Sequence, residues 1–135
     1  GVELLPASAE TTPEQMAAAV ETLPDDTIIF IGLLSANLEA GLDTLVAQAD
    51  QYNVPIFATG RGGATSFPIT DYTTTFAGQA EQGAQMVDRI FKGASPANTP
   101  VETAEYYLFV NLKAAQTYGV EVSDDILKQA FEITR

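Results

Sequence analysis

The residues with types and positions suited to holding a small molecule are Ser35, Asn37, Thr59, Arg61, Asp71 and Tyr72. Arg61 is the most informative: it is the only Lys or Arg in the first 88 positions, and it stands among Gly60, Gly62 and Gly63. A guanidinium there can grip a carboxylate or phosphate in fork geometry, while the glycines let backbone amides approach closely. An exposed loop arginine can equally pair with a surface acid. Asp71 beside Tyr72 can take a ligand amine while the ring stacks on its apolar part, although an Asp also suits a turn and a Tyr a half-buried site. Ser35 and Asn37 stand where a helix needs a cap, their simplest use, yet helix N-termini also bind carboxylates. Thr59 opens the glycine-rich loop that carries Arg61.

Several chemistries find no support. Gly60-Arg61-Gly62-Gly63 lacks the third glycine of a dinucleotide fingerprint, and no Lys-Ser or Lys-Thr pair makes a phosphate loop. Asp25-Asp26 and Asp124-Asp125 stand where a turn or a helix cap already wants an aspartate. With no histidine and no cysteine, the usual general base, the thiolate nucleophile and the zinc-thiolate site are all missing. We therefore expect no catalytic residues, no metal and no cofactor.

Eighteen acidic residues against six basic ones give a formal charge of −12, which repels phosphate backbones and excludes nucleic acid as a natural partner. The acids are scattered, as on a solvated exterior. At 135 residues, 46% hydrophobic and 18% charged, the chain has room for one packed domain. Its longest apolar run, Thr27 to Leu34, is far too short for a bilayer.

The elements that must position these side chains follow a strand-helix rhythm. Val2 to Pro6 reads as a short strand. Thr12-Pro13-Glu14-Gln15 supplies a capping box with Pro at the first helical position, and Met16, Ala19, Val20 and Leu23 follow at helical spacing. Thr27 to Leu34 reads as a strand covered on both faces. Leu38, Leu42, Leu45, Val46 and Ala49 then mark one face of a helix that ends at Tyr52-Asn53, and Val54 to Thr59 is the third strand. Gly60 to Thr75 reads as irregular. Phe76, Ala80, Gly83, Ala84, Val87, Ile90 and Phe91 recur at helical spacing up to Lys92-Gly93. Tyr106 to Val110 is a further strand, Leu112 to Tyr118 a helix closed by Gly119, and Ser123 caps a last helix.

This alternation predicts an α/β fold, a three-layer α/β/α sandwich with a mainly parallel sheet. In such sheets ligands bind beyond the carboxyl ends of the strands. That rule selects Leu34 to Asn37, Thr59 to Ala64 and Thr70 to Tyr72.

From Asn53 onward the sequence also resembles a family of ABC-transporter substrate-binding proteins related to the type I periplasmic-binding fold. The likeness is carried by Asn53-Val54-Pro55-Ile56-Phe57-Ala58, Gln82 to Gly93, Thr99-Pro100-Val101-Glu102-Thr103, Val110-Asn111-Leu112-Lys113-Ala114-Ala115 and Tyr118-Gly119-Val120. The resemblance implies one lobe of a two-lobed protein about twice this length, its N-terminal lobe missing here, with a small molecule closed between the lobes and no catalysis. Residues 1–98 are then the lobe core and 99–135 the lobe-junction strand and C-terminal helices. It implies an amino acid or other small carboxylate as ligand, an ABC permease as partner, and a periplasmic or extracellular location, membrane-associated in the full-length protein.

Leu23 to Phe30 resembles, in addition, the sensor domains of histidine kinases, which would make the partner a membrane sensor. A Rossmann-like enzyme is a third reading, and lacks a cofactor loop or an acid-base pair.

Overall fold

The computed structural model describes residue 3 and residues 12–32, 36–60 and 67–135. The predicted strand Val2–Pro6 therefore falls, Glu3 apart, outside the described residues, as do Ser35 and Arg61. The described elements are α1 (Pro13–Glu21), β1 (Ile29–Ile31), α2 (Ala36–Tyr52), β2 (Ile56–Ala58), β3 (Thr70–Thr73), α3 (Phe76–Phe91), β4 (Tyr107–Asn111), α4 (Leu112–Thr117), α5 (Asp124–Gln129) and β5 (Glu132–Thr134).

Local chemistry sets many of the boundaries. Thr12 and Gln15 form the expected capping box: Gln15 N donates to Thr12 Oγ1 at 3.3 Å, and Thr12 N donates to Gln15 Oε1 at 2.8 Å. Thr75, Asn111 and Ser123 each accept a backbone N–H at the start of α3, α4 and α5. Gly93 follows α3 with φ 102° and Gly119 follows α4 with φ 66°, both in the left-handed region that glycine occupies without strain. Asp26 also adopts a left-handed φ, 66°, in the turn before β1, so the Asp25-Asp26 pair serves chain reversal. Asp125, in the first turn of α5, pairs with Lys128 at 3.0 Å.

The five strands lie in the order β1-β2-β3-β4-β5. β1, β2 and β3 are parallel neighbours; β4 runs antiparallel to β3, and β5 is parallel to β4. The sheet is thus mixed, with its last two strands reversed. Two of its members depart from the sequence reading: β3 lies inside the stretch expected to be irregular, and β5 follows the final helix.

Side chains alternate across the sheet and make two cores. On one face Ile31, Ile56 and Ala58 pack with Val20 of α1 and Leu42, Leu45 and Ala49 of α2. On the other, Phe57 joins Ile69, Ala114, Ala115 and Tyr118. The predicted α2 stripe therefore faces the core at Leu42, Leu45, Val46 and Ala49, while the Leu38 side chain lies outside the described ones. Coverage of the second face stops short of β1, where Phe30 remains 64% exposed. α3 lies outside both cores, with no buried residue. Among the described residues no helix is long and apolar enough to cross a membrane.

Candidate functional site

The carboxyl ends of β1, β2 and β3 lie together, and the amino ends of the reversed strands β4 and β5 reach the same edge. Beyond β1 and β2 the chain passes through two exposed glycines, Gly32 and Gly60, the latter at φ 90°. Gly60 is required there by its left-handed backbone. The β1–β2 ladder extends one step further, Thr59 N donating to Ile31 O at 2.9 Å. This holds Thr59 at the rim, and its hydroxyl donates across to the backbone carbonyl of Tyr72.

Asp71 and Tyr72 are split by strand alternation. Asp71 pairs in register with Ala58 of β2 and Phe109 of β4 and is fully buried, at 0% exposure. Tyr72 projects to the other face and is 55% exposed, its ring stacked on Tyr106 with centroids 5.4 Å apart and planes 28° from parallel. The structure thus joins Thr59 to Tyr72 directly and places Asp71 inside the sheet beneath them. Asn37 falls in the first turn of α2, within the helix and not ahead of it.

Tyr72 and Tyr106, together with Tyr107, Leu108, Gln129 and Phe131, line an open groove of about 530 Å³, within the range of small-molecule sites. The groove is built by an aromatic cluster: Tyr107 and Phe131 have ring centroids 4.5 Å apart, and Phe109 meets Phe131 edge-on at 5.6 Å. Phe131 N donates to Leu108 O at 2.7 Å, which fixes that ring against β4. Tyr106, Tyr107, Gln129 and Phe131 were not singled out by the sequence. The adjacent pair Tyr106-Tyr107 at the start of a strand was the available signal, since neighbours in a strand face opposite sides and one of them must face outward.

The electrostatics of the rim are acidic. Tyr107 Oη donates to Glu105 Oε2 at 2.7 Å, and that bond, with burial and the charges of Glu105 and Glu81, raises the phenol above its ordinary pKa. Arg89, Lys92 and Lys128 are each committed to an acid, Glu102, Asp88 and Asp125 respectively. What the described groove offers is aromatic faces, a side-chain amide and nearby carboxylates. Such a surface stacks planar or apolar groups and favours a cationic end.

A family model for ABC transporter substrate binding protein matches residues 1–134. No curated protein matches the sequence. Among solved structures, the chain is similar to the ABC domain from Streptococcus pneumonia in complex with L-Trp, with a TM-score of 0.67 and 19% identity over 93% of this chain and 43% of that one. It is also similar to a conserved domain protein from Vibrio cholerae, with a TM-score of 0.67 and 19% identity over 90% of this chain and 40% of that one. The ligand-free, open structure of CD0873, a substrate binding protein with adhesive properties from Clostridium difficile, gives 0.71 and 13% identity over 91% of this chain and 41% of that one. The chain therefore spans less than half the length of each of these relatives.

Proposed function

The chain belongs to the ABC transporter substrate binding protein family, and on that premise we propose that it is one lobe of an extracytoplasmic solute-binding protein that hands its ligand to an ABC permease. The lobe binds without catalysis, and the ligand is held at the carboxyl edge of β1–β3 against a companion lobe that completes the site. The observation that carries this reading is the Tyr72–Tyr106 stack beside the groove, anchored by the Thr59 hydroxyl.

The ligand class follows from the chemistry of that edge. A planar or apolar group lies against Tyr72 and Tyr106, an ammonium is drawn to the acidic rim, and a carboxylate is left to Arg61, which the sequence places among glycines. An amino acid with a sizeable side chain meets all three demands. The L-Trp bound by the pneumococcal neighbour is of this kind. Closure of two rigid lobes is the motion such a site requires.

Thermal unfolding in the presence of amino acids, nucleosides, sugars and small carboxylates tests the reading, run on this chain and on the two-lobed protein. A ligand at a hundred times its dissociation constant stabilises by about 2.7 kcal/mol, enough to move the midpoint by several degrees. The expected result is a shift in the two-lobed protein with aromatic amino acids, abolished by Tyr72→Ala and reduced by Arg61→Ala. A shift that survives Tyr72→Ala, or no shift with any amino acid, rejects it.

A further inference from the structure

Glu105-Tyr106-Tyr107 brings three different groups to the amino end of β4. Tyr106 stacks on Tyr72, Tyr107 packs against Phe131, and both rings line the groove. The third group is a carboxylate. Glu105 is exposed, and its Oε2 accepts the Tyr107 hydroxyl at 2.7 Å, so its charge stands one hydrogen bond from a groove-lining ring.

Two features set this carboxylate apart from the acids around it. The first is that its charge is not cancelled. Glu102, Asp88 and Asp125 each hold an Arg or Lys, whereas no Lys or Arg among the described residues bonds to Glu105. The group that holds it is a neutral phenol, and the raised pKa of Tyr107 keeps that phenol a donor at neutral pH. The second feature is its fixed position. A mobile surface carboxylate attracts a cation weakly, because water screens it and its side-chain freedom is lost on contact. The bond to Tyr107, whose ring packs on Phe131 and faces Gly78, removes part of that entropy before a ligand arrives. It occupies Oε2 and leaves Oε1 for a second donor. Asp71, the other carboxylate of this edge, is fully buried in the sheet. Glu81 adds negative charge near Tyr107, but the phenol bonds to Glu105.

We propose that Glu105, positioned by Tyr107, is the specificity-determining residue that reads the cationic end of the solute. The proposal rests on the solute-binding reading above and sharpens it. The site selects a compound that joins an aromatic or apolar group to an ammonium, and discriminates against the same skeleton without the amine. Tyr72 and Tyr106 take the apolar group, and Glu105 accepts the ammonium N–H in a charge-assisted hydrogen bond. Tyr107 acts through Glu105 and is a positioning residue.

Titration calorimetry on the two-lobed protein tests this with L-tryptophan and with 3-(indol-3-yl)propanoate, the same skeleton lacking the amine. The parent should bind L-tryptophan about tenfold more tightly than the propanoate. Glu105→Gln keeps an acceptor for the Tyr107 hydroxyl but removes the charge; it should weaken L-tryptophan by about tenfold and leave the propanoate within about twofold. Tyr107→Phe should weaken L-tryptophan by about threefold and spare the propanoate. A damaged fold would weaken both compounds alike. Glu121→Gln, which removes an exposed charge beyond α4, should change neither. Equal affinity of the parent and Glu105→Gln for L-tryptophan overturns the proposal. So does a loss in Glu81→Gln as large as that in Glu105→Gln, which would assign the selection to a diffuse negative field. A parent that binds both compounds equally well keeps the aromatic site and rejects the role of Glu105, whereas a parent that binds neither rejects the amino-acid reading itself and this proposal with it.

Discussion

The Tyr118 hydroxyl donates to Asp50 Oδ1 at 2.5 Å, linking the residue after α4 to the last turn of α2. α2 leads into the amino end of β2 and α4 follows the carboxyl end of the reversed strand β4. The bond therefore bolts the two helical layers together at the end of the sheet away from Tyr72 and Tyr106. Tyr118→Phe removes this bond while keeping the ring in its core. Because Asp50 is exposed and regains water, the expected cost is about 1 kcal/mol, or a midpoint lower by roughly 4 °C. Calorimetry checks the loss, and a ligand-induced shift of undiminished size in the two-lobed variant confirms that the bolt lies outside the binding edge.

The same residue sets a pH dependence. Burial, then the hydrogen bond to Asp50 and its charge, raise the Tyr118 phenol well above its ordinary value of 10.0. A raised pKa means that the folded state holds the proton more tightly than the unfolded chain. The stabilisation is complete below about pH 10 and is lost as pH rises through the folded value. Tyr52 and Tyr107 are raised too, so part of the alkaline slope is theirs. Denaturant titrations from about pH 8 to about pH 11, across the phenol range, should show a shallower alkaline decline for Tyr118→Phe than for the parent chain.

Tyr72 and Tyr106 touch as stacked rings, so their substitutions should not be independent. The double-mutant cycle built from Tyr72→Ala and Tyr106→Ala is expected to show a coupling of about 0.5–1.5 kcal/mol in unfolding free energy. A coupling near zero would mean that the stack contributes nothing in solution and that each ring acts alone.

The parts of this fold written in local patterning were legible in advance, and those created by long-range pairing were not. α1 announced itself through Thr12 and Gln15, and α2 through Leu42, Leu45 and Ala49 on one face. Thr70-Asp71-Tyr72-Thr73 has no alternation of apolar residues; it is a strand because β2 and β4 hold it from both sides. Glu132-Ile133-Thr134 likewise becomes β5 only through its ladder with Phe109, Val110 and Asn111. The stripe on α3 was readable as a helix face, but nothing in its spacing says that the sheet leaves it uncovered. The groove was half legible. Tyr72 stood out beside Asp71, whereas Tyr106 and Phe131 become its neighbours only once β4 and β5 are laid down in register.

Burial decides how strongly core and surface apolar residues weigh on stability. Ile56 is completely buried at the centre of the first core, whereas Phe30, on the neighbouring strand, points to the uncovered face at 64% exposure. Ile56→Ala should cost about 2–5 kcal/mol, while the larger truncation Phe30→Ala should cost this chain less, about 1 kcal/mol or below. Chemical denaturation of both variants is the check. A cost for Phe30→Ala that matched Ile56→Ala would show that β1 is covered on both faces.

Thr59 connects stability to binding. Its hydroxyl donates to the carbonyl of Tyr72, while its own N–H closes the β1–β2 ladder on Ile31. Thr59→Val keeps the shape and the backbone bond and deletes the hydroxyl. The stability loss should be small, about 0.5–1.5 kcal/mol, because the bond lies at the partly solvated rim. The larger effect should fall on the ligand: with the Tyr72 backbone no longer tethered, the ring that stacks on Tyr106 loses its fixed position, and affinity should drop several-fold. Titration calorimetry on the two-lobed protein measures this directly. If Thr59→Val lost stability but bound as tightly as the parent, the tether would be a device of the fold alone. If both fell together, and Thr59→Ser restored both, the hydroxyl would be what holds Tyr72 in place for the ligand.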